Sequence, residues 1–115
     1  LADALGARDR RQLWVRYARL RFLDGKAAEE LHGIFFWQAR AMLAAAAAAS
    51  PTDAGLAPFV FSKSKRYAQN YRPEELRALA GDLVSLYHDA RRGIHDLDTA
   101  LEGFLLGIGN SVFER

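Results

Sequence analysis

Cysteine is missing from the 115-residue chain. Its absence excludes disulfide scaffolds, thiolate zinc sites and cysteine nucleophiles together, and fits a reducing cytoplasm, the expected location. Charge of one sign is also in short supply. Sixteen Lys and Arg against fourteen Asp and Glu leave a formal charge of +2, far below the excess of a dedicated nucleic-acid-binding domain. No stretch shows the sustained alternation or β-branched enrichment of a strand, so an all-α fold is expected. A membrane-length apolar run is lacking too: the nearest, residues 31 to 49, carries Gln38 and Arg40 near its middle, and a central Arg costs roughly 2.5 to 3.5 kcal/mol in insertion. The first residues have neither the charged start nor the small-residue cleavage site of a signal peptide, and the chain opens with Leu rather than Met, which reads as a piece of something longer.

Catalytic constellations are equally scarce. Ser50, Ser62, Ser64, Ser85 and Ser111 lie in no strand-turn-helix elbow, no Glu pair is isolated in an apolar setting, and no Gly-x-x-x-x-Gly-Lys phosphate loop occurs. Neither nucleophilic catalysis nor ATP binding is expected, and no cofactor is implied. His88-Asp89 and His95-Asp96 repeat a pair that zinc could use, but their spacing is not that of an established ligand set, and Asp96 already has a helix-capping role. A polar helix junction is the expectation there, with no metal. His32 stands beside Gly33 on an otherwise apolar helix.

What the chain does have is bulk: at 50% apolar residues it can fill one core without disulfides or metal, and residues 1 to 115 read as a single helical domain. Its cations are clustered. Residues 8 to 21 hold Arg8, Arg10, Arg11, Arg16, Arg19 and Arg21 with Asp9 as the one acid, and residues 63 to 72 hold Lys63, Lys65, Arg66 and Arg72 with none. Two basic surfaces follow.

Apolar periodicity places five helices. The first, near residues 8 to 23, stacks Leu13, Tyr17 and Leu20 with Trp14 alongside, puts Arg8, Gln12, Arg16 and Arg19 on the opposite side, and ends at Gly25. The second runs from near Lys26, with Glu29 and Glu30 at the positive end of its dipole, into the alanines 44 to 49, where Ser50 and Pro51 stop it. Residues 50 to 58 form the one obvious loop. A third helix covers Phe59 to Asn70. The fourth opens on Pro73, Glu74 and Glu75, carries the stripe Leu76, Leu79, Ala80, Leu83, Leu86, Tyr87 and Ala90, and closes on Arg91, Arg92 and Gly93. Asp96 caps a fifth, with the stripe Leu97, Leu101, Phe104, Leu105 and Ile108.

The stretch Ile34-Phe35-Phe36-Trp37 poses the functional question. An exposed helix would put at least one of these side chains in water, so either the second helix is buried all round by the other four or its excess faces a partner. The basic aromatic stretch from Lys63 to Tyr71 raises another. Lys63, Lys65 and Arg66 could pair with phosphates while Tyr67 or Tyr71 stacks on a base, or the face could be merely solvated with its tyrosines turned inward.

Three segments in order carry a resemblance: RFLDGKAAEELHGIFFWQARAML, PFVFSKSKRYAQNYRPEEL and LVSLYHDARRGIHDLDTALEGFLL. The first is an aromatic-rich helix with a Gln-x-Arg step after a glycine turn. The second is a basic aromatic helix before a Glu-Glu-Leu helix start, and the third a long helix closing on a basic-Gly turn before an Asp-capped one. Together, from about Leu13 to Ile108, they resemble the C-terminal domain of the delta subunit of bacterial DNA polymerase III, a component of the clamp loader. That resemblance implies a compact five-helix bundle acting as a collar. It would be a non-catalytic domain that follows two N-terminal domains of AAA+ type and holds delta beside the tau or gamma and delta-prime subunits, so that the sliding clamp can be loaded on DNA during replication. Contact with the clamp itself would belong to the missing N-terminal part. Phe35, Phe36, Trp37 and Arg40 become the expected subunit interface, and Lys63, Lys65, Arg66 and Tyr67 the expected DNA contact. The alternative is a helical DNA-binding module built on residues 8 to 21 and 63 to 72. One departure from the family is local: Arg72 stands where Ser or Thr usually caps the next helix.

Overall fold

Pro73, with no N–H to lose, occupies the first position of a helix whose start is closed by Glu75 rather than by a Ser or Thr: its carboxylate accepts the backbone N–H of Arg72 at 2.7 Å. This local solution accounts for Arg72 at the cap. In the computed structural model, residues 1–107 are described, and they form α1 (Ala2–Gly6), α2 (Arg10–Ala18), α3 (Ala28–Ala47), α4 (Pro51–Ala54), α5 (Pro58–Ala68), α6 (Pro73–Arg91) and α7 (Leu97–Gly107). No strand occurs among the described residues.

Seven helices therefore replace the expected five. The additions are short ones that apolar periodicity cannot register. α1 is a single turn before Arg8, and α4 lies in the expected loop, where the Ser50 hydroxyl accepts the Asp53 N–H at 3.2 Å and Pro51 supplies the first helical residue. The expected first helix is also shorter at its start. Arg8 sits outside it at φ +57°, and Asp9 caps α2 by accepting the Gln12 N–H at 3.1 Å. At its far end α2 widens into a π turn, Arg19–Leu23, before Gly25 turns the chain at φ +72°, a conformation that glycine reaches without a Cβ penalty. α3 ends two residues before the alanine run does. Ile108, the last of the expected stripe of α7, lies outside the described residues.

α3 is the axis of the molecule, packed by α1, α4, α5, α6 and α7. Its fully buried Leu31, Phe35, Ala39 and Met42 meet Leu5, Leu13, Tyr17, Leu79, Leu83, Leu101 and Leu105 in one core. Rings lock the centre: Phe35 stands 6.2 Å from Tyr17 and 6.3 Å from Phe104. His32 joins α3 to α6, since its Nε2 lies 2.8 Å from the Leu83 carbonyl, an acceptor only, and must carry the proton.

Candidate functional site

The Ile34 to Trp37 question has a split answer. Phe35 is completely buried, Ile34 and Phe36 pack partly against the core, and Trp37 remains 50% exposed. Consecutive residues on a helix point about 100° apart, so even a helix with neighbours on most sides leaves one sector open. Here that sector holds Trp37 and Arg40.

Trp37 forms a ridge between two open grooves. One, of about 320 Å³, is bounded by Gly33, Phe36, Arg40 and Ala44 of α3 and by Gly55 and Leu56 after α4. The other, of about 290 Å³, lies between Trp37, the first residues of the chain, and Phe59, Val60 and Lys63 of α5. Phe59, at the start of α5, is 74% exposed beside it. Arg40 has no carboxylate partner among the described residues, and its guanidinium carbon lies 5.8 Å from the centre of the Phe36 ring. The surface thus combines two large exposed rings, a partly buried third and a guanidinium stacked on that third ring, the side-chain types that anchor protein interfaces. The expected interface set divides accordingly: Phe36, Trp37 and Arg40 share this surface, whereas Phe35 belongs to the core. Phe59 had not been singled out for it.

Three of the expected DNA-contact residues are already engaged by other parts of the chain. Lys63 pairs with Asp3 at 2.8 Å, a contact that holds the Asp3 carboxyl below its ordinary range and raises the Lys63 ammonium above its own. Tyr67 donates its hydroxyl to the same carboxylate at 3.2 Å, and its ring covers Gly6 so closely that any Cβ there would overlap it. Lys65 donates to the Ala48 carbonyl at 2.9 Å and the Ala45 carbonyl at 3.4 Å, placing a cation at the negative end of α3. Among the described residues, Arg66 alone of the four has no such partner. DNA would have to compete with these contacts at Lys63, Lys65 and Tyr67.

The first basic stretch is arranged differently. Arg8 grips Glu75 with two hydrogen bonds, at 2.8 and 3.2 Å, donates to the Asn70 carbonyl at 2.8 Å, and lies 4.8 Å from the Tyr71 ring centre. Burial pushes the Glu75 carboxyl up, but the Arg8 guanidinium and the Arg72 N–H outweigh it and hold the group below its ordinary range. Arg21 likewise grips Asp98 at 2.6 and 2.9 Å, tying the π turn to α7. Between these clamps, Arg10, Arg11, Arg16 and Arg19 are exposed on α2 and its extension, with no carboxylate partner among the described residues.

The His-Asp junction is polar. His95 Nε2 lies 4.0 Å from Asp89, while Asp96 accepts both the backbone N–H and the hydroxyl of Thr99 as the cap of α7. Among the described residues no group of three or more His, Cys, Asp or Glu side chains gathers closely enough to hold a metal ion. Ser85, His88, Asp89, Arg91 and Arg92 line an open surface hollow of about 520 Å³, yet Arg92 is already engaged with Asp89 at 3.2 Å. Among the described residues no helix is long and apolar enough to cross a membrane.

Compared with protein-family models, with curated proteins and with solved structures, the chain matches none.

Proposed function

We propose that this chain is a subunit-assembly module, the collar domain of a clamp-loader delta subunit, which holds its protein in a fixed arrangement beside the tau or gamma and delta-prime subunits. Its role is non-catalytic and serves DNA replication in the cytoplasm. The observation that carries the assembly role is the Trp37 ridge: a tryptophan half in water on the central helix, flanked by an exposed phenylalanine and by an arginine with no carboxylate partner among the described residues. Exposed side chains of this size cost the monomer hydration and contribute little to its core, which favours a surface that becomes covered. The clamp-loader identity is supported by the order of the three sequence segments and by an all-helical chain in which α3 occupies the centre.

Native mass spectrometry of the chain, alone and mixed with the C-terminal domains of tau or gamma and delta-prime from the same source, tests this reading. A stoichiometric mixed complex is expected, and Trp37→Ala should lose one of the partners from it while shifting the melting temperature by no more than a few degrees. A monomer indifferent to those partners would end the clamp-loader reading. A Trp37→Ala variant that assembles as well as the wild type would remove the ridge from it.

A further inference from the structure

α2 is apolar on two sides. Leu13 and Tyr17 enter the core, yet Val15 is 49% exposed, and where the π turn widens the helix, Phe22 and Leu23 are 58% and 78% exposed. Arg11, Val15, Arg19 and Leu23 follow at intervals of four, so the outward face alternates guanidinium groups with apolar side chains. The wider turn matters to this placement. There Arg21 meets Asp98, Phe22 sets its ring edge-on to Tyr17 at 6.5 Å with most of its surface still in water, and Leu23 faces out.

We infer that this outer face of α2 and its π turn is a docking surface for an amphipathic helix of a partner protein whose apolar side chains are flanked by Asp or Glu. Charge complementarity selects the occupant. Arg11, Arg16 and Arg19 have no carboxylate partner among the described residues, so an acidic flank would complete them as it covers Val15, Phe22 and Leu23. A second copy of the same face would bring arginine against arginine, which disfavours an isologous dimer. Nucleic acid would satisfy the arginines but leave two aliphatic side chains in water, since valine and leucine neither pair with phosphate nor stack on bases. The strip shares no residue with the Trp37 ridge, so it supplies a separate contact. The inference rests on the assembly reading for the identity of the partners to be tried.

The test uses the full chain with tau or gamma and delta-prime, and three variants: Arg11→Glu/Arg19→Glu, Leu23→Ser and Trp37→Ala. The wild type is expected to bind both neighbours. Each of the first two variants should weaken one neighbour by roughly tenfold or more while keeping the other, and the loss from the arginine pair should shrink as salt is raised. Trp37→Ala should affect the other neighbour. Leu23 is so exposed that its serine variant keeps the fold, which a thermal melt verifies. If the wild type assembles and both α2 variants assemble equally well, the docking inference fails and the assembly reading stands. If the wild type binds neither neighbour, both fall. A third result also overturns the inference: a single-stranded oligonucleotide or an anionic phosphatidylserine vesicle that binds the wild type, loses affinity with the arginine pair changed, and ignores Leu23→Ser.

Discussion

The two basic stretches of this chain look alike on paper and do different things in space. On α5, Lys63 holds Asp3 and Lys65 closes the end of α3, so two of its cations stitch helices together. On α2, four arginines stand in water between two others, Arg8 and Arg21, that are clamped to Glu75 and Asp98. A run of cations is therefore a composition with two physical outcomes, and the position of the nearest acceptor decides between them. Where a carboxylate or the last carbonyls of a helix lie within reach the cation is structural; where neither does, it is available to something outside the chain.

Breaking the strongest clamp should give the largest effect. Arg8→Ala leaves the buried Glu75 carboxylate with the Arg72 N–H and the Arg72 guanidinium 3.6 Å away but without its two bonds from Arg8, and the expected loss is about 3 kcal/mol of unfolding free energy, read from urea denaturation. An Arg8→Ala chain as stable as the wild type would erase the distinction between clamped and free arginines. The same clamp sets the acid response. A carboxyl whose pKa is lowered on folding binds its proton more readily in the unfolded chain, so the stability it confers is full above its ordinary 4.5 and is lost as the pH falls through the folded value. Stability should thus drop below about pH 4.5, and Glu75→Gln should flatten that drop. Equal acid profiles for the two chains would move the effect to other carboxyls.

The long helices were legible because their cores repeat at helical spacing and their ends carry local signals: Pro73 and the two glutamates, Asp96 as a cap, and Gly25 at positive φ. The short helices α1 and α4 were not, since one turn has no period to detect. Of the candidate surface, Trp37 and Arg40 were legible as excess bulk and charge on a helix that must be mostly buried, but the separation of Phe35 from Trp37 required knowing where α1, α5 and α7 pack. The clamps were invisible for a simpler reason. Arg8 finds Glu75 67 residues away and Arg21 finds Asp98 77 residues away, distances over which sequence offers no register. The buried Tyr17 hydroxyl, with no hydrogen-bond partner among the described residues, is a similar case: burial, with Asp98 and Glu102 nearby, pushes its pKa up to about 12.

A middle-sized effect belongs to Lys65. Replacing it with Met keeps much of the side chain over Phe61 but removes the cation from the last carbonyls of α3, and the expected loss is about 1 kcal/mol. Lys63→Met, whose partner Asp3 is well exposed, should cost less, and the ordering of these two variants by thermal melt sharpens the view that α5's cations differ in what they hold.

The smallest expected effect on stability is on α2, and it is the most informative for function. Arg11→Ala and Arg16→Ala remove side chains that touch no carboxylate among the described residues, so each should change unfolding free energy by no more than about 0.5 kcal/mol. A larger loss would mean that these arginines also serve the fold, and the contrast between the two stretches would collapse. With stability unchanged, anisotropy of a labelled primer-template DNA at low and high salt then separates the remaining uses of the face. A helical DNA-binding module would bind the wild type tightly at low salt, lose affinity steeply as salt rises, and lose part of that slope with each arginine removed, because each phosphate contact releases counterions. An assembly module would bind weakly at both salt concentrations and show the same slope in the variants, leaving α2's arginines to a protein partner.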